Sequence, residues 1–432
     1  MSGKFVVYAT RCSTNLVQSS LSISILAHRA ATRRVAALTF LIYKICYIHS
    51  MQSAEIRQKF LDFFQKRGHV AIPSASLVPS NDSSVLFTTA GMQQFKAYYV
   101  GQANALKDFG SLNVTSSQKC VRTSDIEEVG DESHLTFFEM LGNFSFGGYW
   151  KKEAIEYAHE LITKDFGLKI DYVSIFSGES NVPEDIESAE IWQSIDPNLT
   201  IKKFGRSDNF WGPTGLEGPC GPTTEIYVDR IEIWNIVFNE YYQNYDGSLS
   251  PLEVKGVDTG MGLERLVRVM QKTPTVFETD LFESIVQVAK SRIVADHIRT
   301  SCFMITDGVI PSNTDRGYIL RRLLRRAYIK NKDADSVIDA VVNHSSYKDL
   351  YTFAPNIKEV VAQELEKFGK TLDAGLKQIK KGEDPFTLFT SYGLPLEIIK
   401  EVVPNIDEAK FQRQMEEHKQ ISSTAGEQKF KK

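Results

Sequence analysis

An arginine lies at the end of a predicted strand, next to an acidic loop. Residues 113–122 alternate as a strand that ends at Arg122, and residues 136–146 return as a second, aromatic-rich strand. Five carboxylates lie in the loop between them: Asp125, Glu127, Glu128, Asp131 and Glu132. A permanently charged, bidentate guanidinium at this place suits a carboxylate or phosphate ligand. The alternative is a surface ion pair between Arg122 and the loop acids.

A second candidate anion site follows a pair of glycines. Gly260 and Gly262 permit a tight strand-to-helix turn, and the helix is predicted to begin near Leu263. A helix N-terminus offers unpaired N–H groups and a positive dipole end. Arg265, in the first turn, adds a permanent charge for the distal phosphates of a nucleotide. Asp258 can bind a ligand ammonium group or, alternatively, cap the helix.

The segment between these two sites is predicted to form a pocket wall. Residues 212–222 contain seven Gly or Pro among eleven residues, which predicts a loop whose backbone approaches a ligand or, alternatively, a plain surface loop. Trp211 before it and Glu225 after it favour the pocket. Residues 231–238 are apolar on both faces, which predicts a central strand. Asn235 in that strand needs a hydrogen bond, since an unpaired buried amide costs about 1–3 kcal/mol.

Helices frame these strands. One is predicted from Ser53 to Gly68, with an apolar face made of Ile56, Phe60, Phe63 and Phe64. Another amphipathic helix is predicted from Tyr149 to Gly167. After about residue 290 the strand signals fade and the chain becomes helical. The pattern predicts an α+β fold.

A basic helix is predicted within this helical part. From about Arg316, five apolar positions form a stripe that we expect to be buried: Ile319, Leu320, Leu323, Leu324 and Ala327. Basic residues occupy the other side: Arg321, Arg322, Arg325, Arg326 and Lys330. Most charged helix faces are simply solvated. However, seven basic residues and no acid between Arg316 and Lys332, in a chain of net charge −4, favour phosphate contact.

Composition indicates an ordinary soluble globular protein. The 432 residues are 42% hydrophobic and 24% charged, enough for two or three domains. The five cysteines are dispersed and the eight histidines show no ligand spacing, so we expect free thiols in a reducing compartment and no structural zinc. No apolar run is long enough to span a bilayer, so no membrane partner is expected.

Residues 1–50 differ from the rest of the chain. They contain six basic residues and no acid, which is typical of an organelle transit peptide. The alternative is that Met51 is the true start and that these residues are translated upstream sequence. The second interpretation predicts a cytoplasmic protein, and the first predicts a mitochondrial one.

Three segments resemble the motifs of the alanyl-tRNA synthetases, a family of class II aminoacyl-tRNA synthetases. Residues 120–130 and 136–147 (CVRTSDIEEVG and TFFEMLGNFSFG) resemble motif 2, and residues 257–270 (VDTGMGLERLVRVM) resemble motif 3. The segment that begins EIRQKFLDFF at Glu55 resembles motif 1. The resemblance extends over residues 53 to about 430. It implies a six- or seven-stranded antiparallel sheet flanked by helices, followed by a helical tRNA-recognition domain.

That resemblance implies a catalytic domain at residues 51–290, a tRNA-recognition domain at residues 291–432, and a two-step reaction. Alanine is activated by ATP and Mg²⁺ to alanyl-adenylate, and the alanyl group passes to the 3′ end of tRNA(Ala), recognised through its acceptor stem. The implied catalytic residues are Arg122 for the α-phosphate and carboxylate, Arg265 for the γ-phosphate and Asp258 for the ammonium group.

The resemblance also assigns binding residues. The ATP site comprises Arg122, Phe138, Gly262 and Arg265. The alanine pocket comprises Met140, Trp211, Asn235, Val237, Asp258 and Gly260. Glu225 is a candidate Mg²⁺ ligand. The tRNA-binding residues are Asn313, which is expected to read the acceptor-stem wobble pair, and Arg316, Arg321, Arg322, Arg325 and Arg326.

The chain departs from the family pattern at three places. No lysine or arginine lies between Arg122 and the returning strand, where the family commonly has a lysine that helps to bind ATP. Thr390 stands where relatives have the aspartate that partners Asn313. The sequence ends at Lys432, where relatives continue into an editing domain. We therefore expect a monomer without an editing site in cis, served by a trans-acting editing factor.

Two other functions fit parts of the pattern. A non-catalytic tRNA-binding paralogue is expected to lack Arg122, Asp258 or Arg265, and all three are present. A ligase that charges a carrier protein with an amino acid is expected to lack a tRNA-binding helix, so the basic stretch 316–332 argues against it.

Overall fold

The computed structural model describes residues 51–80, 85–179, 181–213, 215–379, 381–382, 384–392, 394, 396–403 and 406–416. The chain divides into Met1–Met51 and one compact unit, Gln52–Lys432. The predictions for residues 1–50 lie outside the described residues. The division of the remainder at residue 290 stays a prediction.

Within the described residues, nine strands form one sheet. They are β1 Val70–Ala71, β2 Asn113–Val121, β3 Phe137–Ser145, β4 Tyr172–Phe176, β5 Ile201–Phe204, β6 Phe210–Trp211, β7 Gly218–Val228, β8 Ile231–Gln243 and β9 Leu249–Gly262. Their order across the sheet is β1-β2-β3-β9-β8-β7-β4-β5, and β6 pairs with β7 outside this path.

The antiparallel sheet predicted from the resemblance is confirmed for the central strands. Every neighbouring pair from β2 to β4 in this order is antiparallel, which gives six antiparallel strands. At the two edges, β1 pairs with β2 and β5 pairs with β4 in parallel. A parallel pair needs a long crossover connection. The helix Ile186–Ile195 lies in the connection between β4 and β5.

The prediction of a loop over residues 212–222 is wrong for its second half. Gly218 to Cys220 already pair with β8, and Gly221 and Pro222 pair with β6. A register shift separates Cys220 from Thr223, so the strand bulges where Pro222 cannot donate a hydrogen bond to β8. A Cβ at Gly221 would lie 1.8 Å from the carbonyl oxygen of Phe238. The glycine is needed for this close approach between strands, so here it marks a bulged central strand.

Helices cover the sheet and form the C-terminal part. They are α1 Ser53–Gln65, α2 Lys96–Tyr99, α3 Ala105–Phe109, α4 Lys151–Glu160, α5 Ile186–Ile195, α6 Arg206–Asn209, α7 Leu263–Gln271, α8 Glu283–Ala289, α9 Arg292–Thr306, α10 Asp315–Lys330, α11 Ala334–Val342, α12 Ala354–Ile379, α13 Pro385–Tyr392 and α14 Leu396–Val402. Short 3₁₀ segments are Gly91–Phe95, Ser124–Ile126, Val276–Glu278 and Ser345–Phe353. The predicted helices at Ser53, near Leu263 and near Arg316 are confirmed.

The two faces of the sheet differ at strand β8: one face is packed against a helix, and the other is open. Because side chains alternate along a strand, Trp234 and Asn235 point to opposite faces. Trp234 packs against Phe60 and Phe64 of α1, with ring centroids 5.8 and 6.3 Å apart. Asn235 and Val237 lie on the other face and line a cavity. The apolar face of α1 therefore covers one side of the sheet, and the polar chemistry is confined to the other.

Helix α9 joins the sheet to the C-terminal helices. Every residue from Val294 to Ile305 is buried, and the helix packs against β3, α8, α10, α11 and α12. Its Arg299 donates to the carbonyl oxygen of Phe137 at the start of β3 (2.9 Å) and to Glu264 in the first turn of α7 (2.5 Å). The Arg299 side chain is fully buried and Glu264 nearly so. This buried ion pair therefore ties α7 and β3 to α9.

We predict that Arg299→Met lowers the free energy of unfolding by about 3–5 kcal/mol, because it leaves Glu264 buried without its cation. As a control, Lys358→Met removes an ion pair with Asp339 whose side chains are 37% and 51% exposed. Its loss should cost less than about 1 kcal/mol. Urea unfolding, followed by tryptophan fluorescence, measures both. Adding Glu264→Gln to Arg299→Met should recover part of the loss. Equal losses in Arg299→Met and Lys358→Met would contradict the prediction.

Candidate active site

The residues assigned above to nucleotide, metal and amino-acid binding lie together. They line one cavity of about 290 Å³ on the open face of the sheet. These lining residues are Arg122, Phe138, Met140, Trp211, Glu225, Asn235, Val237, Asp258, Gly260, Gly262 and Arg265. They come from five strands (β3, β6, β7, β8 and β9), the residue after β2 and the start of α7, over about 140 residues of sequence. Their roles stay predictions, and their common location is a property of the fold.

The strand register explains how they meet. Glu225 of β7 pairs with Asn235 of β8, and Asn235 pairs with Gly260 of β9. Directly paired residues share a face of a sheet, so these three lie in one row across the cavity floor. Gly260 has no side chain, and a Cβ there would lie 2.8 Å from Sδ of Met140. The glycine therefore leaves room for the methionine that closes this end of the floor.

Arg122 is held without being neutralised. Its Nε donates to the carbonyl oxygen of Thr89 (3.3 Å), and its guanidinium carbon lies 5.1 Å from the centroid of the Phe138 ring. Among the described residues, it forms no ion pair with a carboxylate. The alternative of a surface ion pair with the loop acids is therefore wrong. The terminal nitrogens of Arg122 remain for an anionic ligand.

Arg265, in contrast, is paired. It lies in the first turn of α7, as predicted, and its Nη1 donates to Oε2 of Glu232 (3.0 Å) and to the carbonyl oxygen of Glu232 (3.1 Å). Both side chains are 34% exposed. Glu232 was not among the residues predicted from the sequence, although a charged residue in an otherwise apolar strand was a visible signal. An anionic ligand must compete with Glu232 for this arginine.

Asp258 is a buried carboxylate without a donor. The residue is only 5% exposed, and within the described part of the chain its carboxylate makes no hydrogen bond or ion pair. Burial raises the pKa of Asp258 to about 7. The helix-cap alternative is wrong, since Asp258 lies inside β9, four residues before the residue that caps α7, Gly262. Among the described residues, no cation pairs with this side chain.

Glu225 fixes the amide of Asn235. It accepts from Asn235 Nδ2 (3.1 Å) through Oε1, and from Ser174 Oγ (3.1 Å) and Tyr227 Oη (2.7 Å) through Oε2. Burial, and then the charge of Glu232, raise the pKa of Glu225 to about 7, against the opposing hydrogen bonds from Tyr227 and Ser174. The predicted hydrogen bond of Asn235 is confirmed.

Two further polar atoms at the cavity lack partners. The Oδ1 atom of Asn235 and the Nε1 atom of Trp211 are buried, and neither has a hydrogen-bond partner within the described residues. Buried polar atoms are normally paired. The residues that line the cavity therefore include one acceptor and one donor without a protein partner, and the acceptor, Asn235 Oδ1, belongs to an amide that Glu225 orients.

A histidine that was not predicted from the sequence also lies at this cavity. His134 lies in the loop between β2 and β3 and lines the cavity. Its Nδ1 lies 2.5 Å from Asp131, whose carboxylate also accepts the backbone N–H groups of Ser133 and His134. A histidine three residues from an aspartate in a polar loop gave no clear sequence signal.

The residues predicted to bind tRNA lie outside the cavity, on α10 and the loop before it. Asn313 is exposed and accepts a hydrogen bond from Arg321. Arg321 and Arg325 pair with Glu364 of α12, and Arg322 pairs with Glu127. The buried stripe of α10 is confirmed for Leu320, Leu323, Leu324 and Ala327, whereas Ile319 is half-buried.

One placement on this helix is wrong. Arg326 was expected on the solvated side but is only 8% exposed, and it donates to the carbonyl oxygen of Ile126. Helical periodicity could not reveal the carbonyl that receives it. Thr390, on α13, is exposed and bonds to the carbonyl oxygen of Phe386 in its own helix. Its relation to Asn313 stays a prediction.

Metal and membrane features are absent from the described residues. There, no group of three or more His, Cys, Asp or Glu side chains could hold a metal ion. No helix in the same ranges is long and apolar enough to cross a membrane. Cys120, Cys220 and Cys302 are buried free thiols.

Comparison with known proteins adds to this geometry. Residues 55–432 match the model of the family described as tRNA synthetases class II (A). The alanine–tRNA ligase of Rubrobacter xylanophilus is 40% identical over 445 residues, which cover 87% of this chain and 50% of that protein. The alanine–tRNA ligase of Borrelia hermsii is 39% identical over 446 residues, which cover 88% of this chain and 74% of that protein.

The chain thus spans about half the length of the first relative and about three quarters of the second. The aspartyl-tRNA synthetase from Entamoeba histolytica is a more distant likeness, with 14% identity and a TM-score of 0.36 over 54% of this chain and 57% of that one. That score is too low to add to the assignment. The match over residues 55–432 and the two ligase relatives establish that this chain belongs to the class II (A) tRNA synthetases, in the branch of the alanine–tRNA ligases.

Proposed function

We propose that this chain activates L-alanine with ATP and transfers the alanyl group to the 3′ end of tRNA(Ala). One observation carries the proposal: a single cavity holds two guanidinium groups and a buried, unpaired carboxylate. Two cations suit the ends of a triphosphate, and the carboxylate suits the ammonium group of an amino acid. The similarity of this chain to alanine–tRNA ligases supports the same assignment.

The first step needs positioning and neutralisation of charge more than a protein acid or base. The alanine carboxylate attacks the α-phosphate, and pyrophosphate leaves in line. Arg122, whose terminal nitrogens face no carboxylate, binds the α-phosphate and the attacking carboxylate. Arg265 releases Glu232 and binds the γ-phosphate in its place. Asp258 binds the ammonium group.

The pocket selects a small side chain. Met140, Trp211 and Val237 line the cavity near Asp258 and Gly260. Sδ of Met140 also lies 3.2 Å from the backbone nitrogen of Gly91, which holds the thioether in place. A methyl group fits against these side chains, and a larger one meets the sulfur. Asn235 Oδ1, unpaired and held by Glu225, is a second acceptor for the ammonium group.

Magnesium fits this site only together with phosphates. Protein Mg²⁺ sites that serve nucleotides commonly use one or two carboxylates plus phosphate oxygens. Glu225 already accepts three hydrogen bonds, and a carboxylate offers about four lone-pair positions. One position therefore remains for a cation, and Glu232 is a second carboxylate at the same cavity. With ATP bound, Mg²⁺ would neutralise the phosphates there.

For the second step, we propose that Asn313 and the arginines of α10 contact the acceptor stem. Asn313 is exposed at the entrance of α10, where its amide can read a base pair. Arg321 and Arg322 are partly exposed beside it and can exchange Glu364 and Glu127 for phosphates.

Asp258→Asn should raise the KM for alanine roughly 10- to 150-fold, because a hydrogen bond to a charged group is worth about 1.5–3 kcal/mol. The KM for ATP should change much less. Alanine-dependent ATP–pyrophosphate exchange measures both constants. As a control, Glu232→Gln, which faces Arg265, should alter the KM for ATP and not that for alanine. Equal effects of Asp258→Asn on both substrates would argue against the ammonium assignment.

The pKa of Asp258 predicts a pH dependence. Only the carboxylate binds an ammonium ion, so kcat/KM for alanine should fall about tenfold per pH unit below pH 7 and level off above it. Asp258→Asn should abolish this dependence, although Glu225 titrates in the same range. If the slope persists in the variant, Glu225 or another group is its source.

The raised pKa of Asp258 also predicts that the charged carboxylate, which binds the ligand, destabilises the folded chain. The folded pKa of about 7 lies above the ordinary value of 3.8, so the folded state binds the extra proton and its stability falls as the pH rises between these values. Asp258→Asn should therefore raise the urea midpoint at pH 8 and leave it nearly unchanged at pH 4. A lower midpoint at pH 8 would show that the carboxylate stabilises the fold through a contact that the free chain makes.

Asn313→Ala should reduce discrimination between tRNA(Ala) and a transcript with an altered acceptor-stem pair about tenfold, since a lost polar contact is worth about 1 kcal/mol or more. Arg321→Gln should weaken both RNAs alike and reduce the salt slope of binding by about one unit. Neither variant should change ATP–pyrophosphate exchange. Unchanged discrimination in Asn313→Ala would remove Asn313 from base reading.

A further inference from the structure

The arginines of α10 contact the protein segments that hold Arg122. One segment precedes β2 in the sequence: the Thr89 carbonyl accepts from Arg122 Nε (3.3 Å), and the Thr88 carbonyl accepts from the backbone of Val121 (2.9 Å). Arg316, in the first turn of α10, donates to the carbonyl oxygen of Leu86 in this same segment. The start of α10 is therefore fixed to the strip of backbone that carries the Arg122 contact.

The other segment follows Arg122 directly. It is the 3₁₀ turn Ser124–Ile126 and the next residue, Glu127. Arg322 pairs with Glu127, and Arg326 lies 3.5 Å from the same carboxylate while donating to the carbonyl oxygen of Ile126. Two arginines, one helical turn apart, thus bind a turn that begins two residues after Arg122.

The arginines of α10 differ in their burial and in their partners. Arg326 is 8% exposed, and Ile126, beneath it, is 1% exposed. An arginine so buried is poorly placed to meet an RNA backbone. Arg321 and Arg325 pair instead with Glu364 on α12, and within the described residues neither forms an ion pair with the turn. The contacts of Arg326 are therefore structural for the turn.

The turn needs such a cation. The loop from 123 to 135 contains five carboxylates and no lysine or arginine of its own. Like charges in one short loop repel each other. Asp125 in this turn lines the active-site cavity, so a shift of the turn moves both a cavity wall and the backbone that follows Arg122.

We propose that Arg322 and Arg326 are positioning residues for alanine activation. By holding the turn Ser124–Glu127 they set the place of Arg122 at the α-phosphate. Helix α10 then acts on the first reaction step even when no RNA is present. This inference rests on the proposed function, because it assigns a role within the same reaction.

The test is ATP–pyrophosphate exchange with alanine and without RNA. Glu127→Gln changes an exposed side chain (57% exposed) and should not disturb folding. Arg326→Gln removes the buried partner. Both should lower kcat several-fold, with about tenfold or more for Arg326→Gln, because small misplacements of a catalytic group have such effects. The KM for alanine should change less than kcat, because Asp258, which binds the ammonium group, does not move with the turn.

Two comparisons separate positioning from general damage. Arg67→Gln removes an ion pair with Glu160 (side chains 22% and 37% exposed) that lies just after α1 and far along the chain from the turn, and exchange should stay within about twofold of wild type. In a double-mutant cycle, Arg322→Gln combined with Glu127→Gln should lose no more than the larger single change, because both remove the same contact. Arg326→Lys, which keeps the charge, should recover part of the activity.

The outcomes are distinct. If Glu127→Gln and Arg326→Gln both exchange at the wild-type rate, the positioning role is overturned and the proposed function remains intact. No alanine-dependent exchange in the wild type defeats the proposed function itself. Additive losses in the cycle, or a KM for alanine that rises in step with the fall in kcat, also overturn the positioning role.

Discussion

The buried ion pair between Arg299 and Glu264 is the contact on which the active-site geometry depends. Glu264 precedes Arg265, and its carboxylate also accepts the backbone N–H of Glu139 in β3 (3.1 Å). Arg299 donates to the Phe137 carbonyl, immediately before Phe138 of the cavity wall. Because both charges are removed from water, separating them is costly, so the pair holds one geometry. The segments that resemble motifs 2 and 3, which carry Arg122 and Arg265, are thus joined through a helix that belongs to neither.

Helix α9 and the residue after it, Asp307, make further polar contacts with β2, β3 and the segments next to these strands. Asp296 accepts the backbone N–H of Thr136 at 2.9 Å, and Asp307 pairs with Lys119 at 2.8 Å and accepts the N–H of Leu77 at 2.6 Å. Each contact fixes a different point of β2, β3 or the segment before them. The catalytic sheet and the C-terminal helices consequently share polar contacts as well as a core. A change on the helical side reaches the cavity through a few identifiable hydrogen bonds.

Features that depend on neighbouring residues were predicted correctly from the sequence. The predictions failed where a contact with a residue distant in the sequence determines the structure. The helix start near Leu263, the central strand with Asn235 and the common site of the motif residues follow from spacing and family resemblance. The pairing of Glu232 with Arg265, and of Arg326 with the Ile126 carbonyl, join residues 33 and 200 positions apart. No periodicity reports such pairs. At residues 218–222 the local preference of Gly and Pro for loops was overridden by pairing with two strands and by the close approach of Phe238.

The free site carries charges that its ligands complement. Asp258 and Glu225 have pKa values near 7 because they are buried, and the negative charge of Glu232 contributes to the shift of Glu225. Under the proposed function, an alanine ammonium group supplies the cation that Asp258 lacks. When a phosphate takes Arg265 from Glu232, that carboxylate loses its partner, and its full charge then acts on Glu225. A divalent cation carried in with the nucleotide would restore the balance. The proposed function therefore implies that phosphate and cation binding are favoured together, and that the charges of the site are best neutralised when alanine and ATP are both present.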